Sequence, residues 1–185
     1  MATLPFGAVR IVAGSARGRR IDAPPGRDTR PTTDRVREAL FNALGSMRSI
    51  DGATVVDLFA GSGALGLEAL SRGASHLTFV ESDRRTAEVI RRNLATLGFG
   101  DRARVVVGDA IGHARTAPPV DLALCDPPYA FDDWDGLLAD LRADVVVIES
   151  NRAIEPPPPW RLDRSKRYGS TFVTIASRPS TAPPE

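Results

Sequence analysis

Residues 54–66 read TVVDLFAGSGALG, a short apolar run that passes directly into a glycine-rich turn. Apolar, β-branched residues bounded by such a turn are typical of a buried strand. Glycines let the backbone turn sharply and approach a ligand closely where the next helix opens. The spacing fits G-x-G-x-x-G, which is typical of a dinucleotide site but also of a plain strand–helix turn. The stretch therefore predicts the first strand and helix of an α/β sheet.

The chain after this stretch alternates strands with helices, which predicts a parallel sheet covered on both faces. We expect strands at 54–58, 76–81, 104–107, 121–125 and 144–149, and helices at 63–72, 83–97 and about 133–142. The clearest helix is 83–97, and the residues predicted for its buried stripe are Ala87, Ile90, Leu94 and Leu97. Residues 160–169 and 171–177 are predicted to form an antiparallel hairpin that closes the sheet.

The residues before the sheet predict a small N-terminal extension. Residues 8–21 are typical of a β-ribbon with a Gly-Ser turn. A helix follows at 33–48, capped by Thr32 or Thr33, with one face predicted from helical spacing to contain Val36, Leu40, Leu44 and Met47. We divide the chain into an N-terminal ribbon extension (1–32), a main α/β domain (33–178) and a disordered tail (179–185).

Composition is that of an ordinary globular domain. The chain has 185 residues, of which 42% are hydrophobic and 25% charged, and this length corresponds to about one domain. The single cysteine, Cys125, excludes an internal disulfide and favours a reducing, cytoplasmic setting. No stretch approaches the roughly 20 apolar residues of a membrane span, and the N-terminus lacks the apolar segment of a signal peptide.

Charge is distributed unevenly along the chain. Residues 1–50 hold nine arginines and four acidic residues, a net charge of +5, whereas the remainder has a net charge of −4. A basic segment beside an acidic domain favours docking of a polyanion at one end, although charge runs are often only solvated surface. The candidate RNA-binding residues are Arg10, Arg17, Arg19, Arg20, Arg30, Thr32 and Arg35.

Three acidic residues each follow, or end, a predicted strand: Asp57, Glu81 and Asp109. Open α/β sheets bind ligands at that edge. A carboxylate at Asp57 suits the amino group of S-adenosylmethionine and would repel a pyrophosphate. Glu81 could accept hydrogen bonds from the two ribose hydroxyls of S-adenosylmethionine or of NAD. Asp109 could accept a hydrogen bond from the adenine amino group. Each acid alone could instead cap a helix or face solvent.

The fourth predicted strand ends in Asp126-Pro127-Pro128-Tyr129. Consecutive prolines fix the backbone and leave carbonyl acceptors without N–H donors. Asp126 and the Pro127 carbonyl could each accept one hydrogen of an exocyclic amine, so that the nitrogen lone pair points at a methyl donor. Tyr129 offers a flat face on which a base can stack. A rigid structural turn is the alternative for this segment.

These motifs, in this order, resemble a class I amino-methyltransferase. The N-terminal flank narrows this resemblance to the bacterial small-subunit ribosomal RNA guanine-N2 methyltransferases of the RsmD family. It is carried by residues 9–44, and most specifically by the stretch RPTTDRVREALFN within them. The resemblance covers about residues 10–178. It implies a Rossmann-like, seven-stranded, mostly parallel sheet with an N-terminal hairpin that grips RNA. It also implies methylation of one guanine of 16S rRNA on an assembling small subunit.

The resemblance completes the set of expected site residues. The candidate cofactor-binding residues are Asp57, Gly61, Ser62, Gly63, Glu81, Ser82, Asp109 and Ala110, and the candidate catalytic residues are Asp126, Pro127, Pro128 and Tyr129. We expect a monomer without a metal or a membrane partner. Two features depart from expectation: the loop at 130–136 is acidic, where an RNA-facing loop would be basic, and the linker at 112–120 is short.

Three other functions remain open from the sequence. A DNA adenine-N6 methyltransferase would use the same tetrapeptide and would also flip its base, although a chain this short lacks room for a separate sequence-reading domain. An NAD(P)-dependent dehydrogenase would use the glycine-rich turn but would leave Asp126–Tyr129 without a purpose. A non-enzymatic RNA-binding assembly factor would need neither Asp126 nor Tyr129.

Overall fold

The computed structural model describes residues 9–24, 34–47 and 49–179. Two short strands near the N-terminus pair antiparallel, namely β1 (Val9–Arg10) and β2 (Arg20–Ile21). The remaining strands form one sheet: β3 (Thr54–Leu58), β4 (His76–Glu81), β5 (Ala103–Val107), β6 (Val120–Cys125), β7 (Ala143–Ser150), β8 (Arg161–Tyr168) and β9 (Thr171–Ser177). This confirms the predicted seven-stranded sheet and places all five predicted parallel strands within one or two residues of their expected ends.

The sheet has the strand order β5-β4-β3-β6-β7-β9-β8. Strands β3 to β7 are parallel, whereas β9 pairs antiparallel with both β7 and β8, as predicted for the closing hairpin. The chain runs from β3 outward to β5 and then returns to place β6 on the other side of β3. This reversal opens a crevice between the carboxyl ends of β3 and β6, which is where open α/β sheets bind ligands.

Helices cover both faces of the sheet: α1 (Asp34–Ser46), α2 (Ala64–Ser71), α3 (Arg84–Leu97), α4 (Ala110–Thr116) and α5 (Trp134–Asp140). One core cluster contains residues of α1, α2 and α3, and the other contains residues of α4 and α5. Alternate residues of the strands join one cluster or the other, because successive side chains of a strand point to opposite faces. Among the described residues, no helix has the length and apolarity of a membrane span.

Helix α3 shows how local sequence determines an element. Its predicted stripe is buried in full. Asp83 is the N-cap, and its side chain accepts a hydrogen bond from the backbone N–H of Thr86. Gly98 ends the helix with a φ of 76°, a left-handed conformation that costs glycine little.

Two local predictions are wrong. Residues 112–120, interpreted as a linker, begin inside α4, because the Asp109 side chain caps that helix by accepting from the Gly112 N–H. Met47 is 39% exposed, and the buried face of α1 contains Arg37 and Phe41 instead. The helical period was predicted correctly, but the face of α1 that is buried depends on which residues of the neighbouring elements pack against it. The predicted caps Thr32 and Thr33 lie outside the described residues.

The N-terminal segment at 9–24 is more than an appended ribbon. Ile11, Ala16 and Ile21 are buried in the core cluster that α1, α2 and α3 form with the sheet. The side chain of Asn93, on α3, accepts from the Asp22 N–H and donates to the Asp22 carbonyl. Removing residues 1–22 would therefore expose core side chains, so this segment also contributes to the stability of the core.

Candidate active site

A cavity of about 540 Å³ lies at the carboxyl edge of the parallel strands. This volume is within the range of small-molecule sites. Its walls come from the residues that end or follow five adjacent strands, among them Gly61, Glu81, Asp109, Asp126 and Glu149. Val9 and Ala23, at the two ends of the N-terminal segment, complete the rim. The predicted glycine turn and the predicted catalytic segment thus border one space.

The glycine-rich turn needs glycine for two different reasons. Gly63 caps α2 with a φ of 81°, in the left-handed region that side chains disfavour. Gly66 has no room for a side chain, because a Cβ there would lie 2.4 Å from Cε1 of Phe79 and 2.9 Å from Oδ2 of Asp57. The turn is therefore shaped by backbone conformation and by close packing of α2 on β4. Gly61 and Ser62 line the cavity.

Asp57 lies beneath this turn and is 1% exposed. Its Oδ2 accepts a 2.9 Å hydrogen bond from the Gly66 N–H. Burial raises the pKa of this carboxyl to about 8; the hydrogen bond from Gly66 opposes the shift and the charge of Glu81 adds to it. Asp57 is not among the residues that line the cavity. Its visible role is to hold the turn, and direct contact with a cofactor stays a prediction.

Glu81 joins two backbone segments at the cavity wall. Its Oε2 accepts from the Gly61 N–H at 2.9 Å, and its Oε1 accepts from the Asp83 N–H at 2.8 Å. The Oε1 atom also accepts from the Ser82 hydroxyl at 3.4 Å. Ser82, the next residue, also lines the cavity. The arrangement is compatible with the predicted ribose contact.

Asp109 and Ala110 line the same wall after β5. Asp109 is exposed, and its Oδ2 accepts from the Gly112 N–H at 2.7 Å as the cap of α4. Asp109 therefore caps a helix, which was one of the alternatives for this acid, and the cap hydrogen bond engages one of its two oxygens. Whether the carboxylate also receives an adenine amino group stays a prediction.

Asp126 directly follows β6, where Cys125 pairs with Leu58 of β3 on one side and with Ile148 of β7 on the other. The carboxylate lines the cavity. Burial, followed by the charges of Glu149 and Asp57, raises the pKa of Asp126 well above its usual range. An acid with a raised pKa is a stronger base once ionised, which suits a group that receives hydrogens from an amine.

The Asp126–Tyr129 segment is held by an aromatic cluster behind it. Pro127 is buried, and the Pro128 carbonyl accepts from the Phe131 N–H at 2.8 Å. The Phe131 ring lies 5.2 Å from that of Phe59 in the glycine turn and 5.0 Å from that of Trp134. Tyr129 lines the cavity and is 51% exposed. A large exposed ring at the mouth of a rigid turn is suited to stacking.

The acidic loop after Tyr129 has a structural explanation. Asp133 caps α5 by accepting from the Gly136 N–H at 3.1 Å, and Phe131 and Trp134 bury their rings. At least one of the loop's acids is therefore present for helix capping.

Sequence reasoning missed two charged residues on the cavity wall, Glu149 and Arg37. Glu149 lies at the carboxyl end of β7 and is 6% exposed. The rule that selected Asp57, Glu81 and Asp109, an acid at the end of a parallel strand, would have selected it too. Arg37 gave no comparable signal, because its partners are distant in the sequence.

Arg37 and Glu68 form a buried network behind the cavity. Arg37 is 1% exposed, and its guanidinium donates to Asp34 at 2.8 Å and lies 3.6 Å from Glu68. It also donates to the Arg10 carbonyl. Glu68 has no exposed surface and forms a 2.7 Å ion pair with Arg72. The network connects the cavity wall, α1, α2 and the N-terminal segment.

Most of the predicted RNA-binding arginines are exposed, but they are not equivalent. Arg17, Arg20 and Arg35 are exposed to solvent. Arg10, also exposed, lies 3.5 Å from Asp34. Arg19 donates to the carbonyls of Thr96 and Leu97 at the end of α3, so it anchors the segment there. Arg30 and Thr32 lie outside the described residues.

Comparisons with known proteins agree with this architecture. A family profile described as "Conserved hypothetical protein 95" matches residues 9–177. Ribosomal RNA small subunit methyltransferase D of Escherichia coli is 40% identical over 183 residues, covering 93% of this chain and 91% of its own. The protein of the same name from Haemophilus influenzae is 35% identical over 176 residues, covering 88% and 90%.

A solved structure gives the same result at the level of the fold. The Escherichia coli protein yhhF superposes with a TM-score of 0.81 and 38% identity, covering 93% of this chain and 98% of its own. The family profile, which matches residues 9–177, spans the N-terminal segment, the parallel sheet and the closing hairpin. The chain therefore belongs to the conserved hypothetical protein 95 family, the RsmD family that its sequence motifs resemble.

Proposed function

We propose that the protein transfers a methyl group from S-adenosylmethionine to the exocyclic N2 of one guanine of 16S rRNA, presented on an assembling small ribosomal subunit. The observation that carries the proposal is the single cavity in which the glycine turn faces the Asp126–Tyr129 segment. A cofactor bound over the turn would have its reactive end beside an acid and an aromatic ring. The relatives from E. coli and H. influenzae, both named as ribosomal RNA small subunit methyltransferases, support the same assignment.

The charges on the cavity wall fit S-adenosylmethionine. The carboxylates of Glu81, Asp109, Asp126 and Glu149 line it, with Arg37 the cation among the described lining residues. Such a wall attracts a ligand that carries a sulfonium and an ammonium group, whereas it repels a pyrophosphate. When bound, the cofactor supplies a methyl group on a positively charged sulfur. Gly61, Ser62 and Gly63 would approach it with their backbone, Glu81 and Ser82 would hold the ribose, and Asp109 and Ala110 would border the adenine.

Asp126 and Pro127 prepare the substrate nitrogen. The guanine amine is a weak nucleophile, because its lone pair is delocalised into the ring. The Asp126 carboxylate and the Pro127 carbonyl each accept one of its hydrogens, which orients the lone pair toward the methyl group. The cofactor would supply the methyl group, and the proton that the amine loses on methylation would pass to the Asp126 carboxylate. Such orientation speeds the reaction because the reacting atoms are already aligned when the substrate is bound.

Tyr129 holds the plane of the base. Base–aromatic stacking contributes about 1–3 kcal/mol per base. A guanine must leave its stack to reach a cavity at the edge of a sheet, and enzymes that modify bases use such extrusion generally. The half-exposed ring of Tyr129 offers the replacement surface, while the Phe59–Phe131–Trp134 cluster keeps the turn rigid behind it.

The N-terminal segment supplies the RNA-docking surface in this proposal. Arg10, Arg17 and Arg20 are exposed on a segment whose ends, Val9 and Ala23, border the cavity. Arginine suits phosphate and unpaired bases because its planar fork donates in pairs and can stack. Arg35 on α1 extends the surface, whereas Arg19 belongs to the anchoring of the segment on α3. Arg30 and Thr32 stay in the proposal on sequence grounds alone.

The competing functions fit less well. A dehydrogenase would have to bind a pyrophosphate against a wall dominated by carboxylates. A DNA adenine methyltransferase could share the tetrapeptide, but the relatives that match nearly the whole chain are named for ribosomal RNA. An assembly factor without activity would have no use for an acid with a raised pKa beside an exposed ring at the cavity wall.

The experiment that tests the proposal is mass-spectrometric mapping of ribosomal RNA modifications in cells that lack the protein. We expect one N2-methylguanine of 16S rRNA to disappear and to return with the wild-type gene but not with the Asp126→Ala variant. Cofactor binding by purified Asp126→Ala, measured by calorimetry, should be retained and serves as the control for folding. An unchanged modification map would refute the proposal, and a lost methyladenine would replace guanine by adenine as the target.

A further inference from the structure

Glu149 lies beside Asp126 in the cavity wall. Cys125 and Ile148 are register partners in the parallel strands β6 and β7, so the residues that follow them, Asp126 and Glu149, are neighbours at the sheet edge. Both line the cavity. Adjacent strands are about 4.8 Å apart, so the two carboxylates project into the same small volume.

Two carboxylates side by side at the cavity wall repel each other. Their mutual repulsion contributes to the raised pKa of Asp126, for which Glu149 is the largest charge effect. Two adjacent acceptors on one wall are suited to a ligand that presents two adjacent hydrogen-bond donors. Asp126 already has one such partner in the proposed function, the substrate amine, and Glu149 has no assigned role there.

We propose that Glu149 selects guanine by accepting the N1–H of the base while Asp126 accepts a hydrogen of the neighbouring N2 amine. This inference rests on the proposed function and adds the determinant of base identity. The glutamate side chain is one methylene longer than that of aspartate, which lets it reach the inner ring nitrogen from the next strand.

The pair of acceptors matches guanine and opposes the other amino bases. Guanine presents two donors side by side on its Watson–Crick edge, N1–H and the N2 amine. Adenine and cytosine present an amine next to a ring nitrogen that carries a lone pair, and this lone pair would face the Glu149 carboxylate. Enzymes read a flipped base through hydrogen bonds to this edge, and an unmatched buried polar group is strongly disfavoured. Asp126 alone would accept any exocyclic amine.

The test compares guanine with 2-aminopurine at the target position of a synthetic RNA that the wild-type protein methylates. 2-Aminopurine keeps the amine at position 2 but has a lone pair at N1 in place of the N–H. It also lacks the 6-oxygen, a difference that applies equally to wild type and variants. Wild type should prefer guanine by about 10- to 100-fold in kcat/KM, the range for one hydrogen bond to a charged acceptor. Glu149→Ala should reduce this preference to within about threefold. Glu149→Gln should also reduce it, because its amide can donate to the N1 lone pair.

Matched controls separate the possible outcomes. Glu155→Gln changes an exposed acid of the same type six residues along the chain, outside the cavity, and should keep the wild-type preference. Binding of S-adenosylmethionine by each variant, measured by calorimetry, reports an intact site. If Glu149→Ala fails to fold, the nearly isosteric Glu149→Gln decides the question. A wild-type preference retained by Glu149→Gln overturns the inference, whereas a wild type that methylates no guanine substrate overturns the proposed function instead.

Discussion

Glu68 holds the N-terminal segment on the catalytic sheet, and its removal should be among the most destabilising single changes outside the active site. The fully buried carboxylate accepts from the backbone N–H of Val12 at 2.7 Å and from that of Ala13 at 3.0 Å. It also pairs with Arg72 at 2.7 Å and lies 3.6 Å from Arg37. Glu68→Ala therefore leaves two backbone donors and the Nε of Arg72 without their acceptor. It also removes one charge partner of Arg37, which keeps Asp34 and the Arg10 carbonyl.

The magnitude follows from these contacts. An unsatisfied buried donor costs about 1–3 kcal/mol, and removing one partner of a buried ion pair costs about 3–5 kcal/mol. The contributions overlap, so we expect Glu68→Ala to lower the free energy of unfolding by about 3–5 kcal/mol, a large share of the about 5–15 kcal/mol of a typical domain. Glu68→Gln, which keeps the volume and one acceptor, should still lose about 2 kcal/mol.

Urea unfolding followed by tryptophan fluorescence measures this loss, with Trp134 and Trp160 as the reporters in the second core cluster. Glu88→Ala is the matched control, because Glu88 pairs with Arg91 on the exposed face of α3. Its loss should stay within about 0.5 kcal/mol. A loss below about 1 kcal/mol for Glu68→Ala with an unchanged urea slope would refute the reasoning, since it would mean that the donors find water or other acceptors at little cost.

Three further outcomes are expected. Tyr129→Phe should retain most methylation, whereas Tyr129→Ala should lose about 10- to 100-fold, since stacking needs the ring; equal defects in single-turnover assays would exclude stacking. Burial raises the folded-state pKa of Asp57 from 3.8 to about 8, so its protonation stabilises the fold at low pH. This contribution is lost as pH rises from 3.8 to about 8. Across this pH range, the free energy of unfolding in urea should fall less for Asp57→Asn than for wild type. The double variant Arg17→Ala/Arg20→Ala should weaken binding of ribosomal particles and make the salt dependence of binding shallower. Arg142 is exposed directly before β7, at the sheet edge opposite the cavity, and is the control. Arg142→Ala should bind the particles like wild type at two salt concentrations.

The sequence predicted the parts of this protein that depend on local patterns. The apolar run into GSG, the strand that ends at Cys125 and the stripe of α3 each rely on spacing within one element and its turn. These determine the sheet class, and the carboxyl-edge rule then places Glu81, Asp109 and Asp126 at one cavity. The resemblance to the RsmD family, carried by motifs in order, was confirmed by the match over residues 9–177.

The functions of individual acids could not be assigned in this way. Asp57, Glu81 and Asp109 look alike in the sequence, each at a strand's end. In the structure Asp57 holds the turn from below, Glu81 bridges two backbone segments at the wall, and Asp109 caps a helix that was not predicted. A carboxylate's role depends on which N–H groups lie within hydrogen-bond distance, and those are set by packing of the helices onto the sheet.

Sequence alone therefore determined the fold class and the edge of the sheet at which the cavity lies, because both follow from local patterns within strands, helices and turns. The chemistry of the segment at 126–129 stays a prediction. Only the tertiary structure decided that Arg37 is buried, that Glu68 secures the N-terminal segment and that Glu149 stands beside Asp126. The partners in these pairs are separated by 31, 56 and 23 positions in the chain. Such pairs meet only after strand register and helix packing are established, and no local periodicity encodes them.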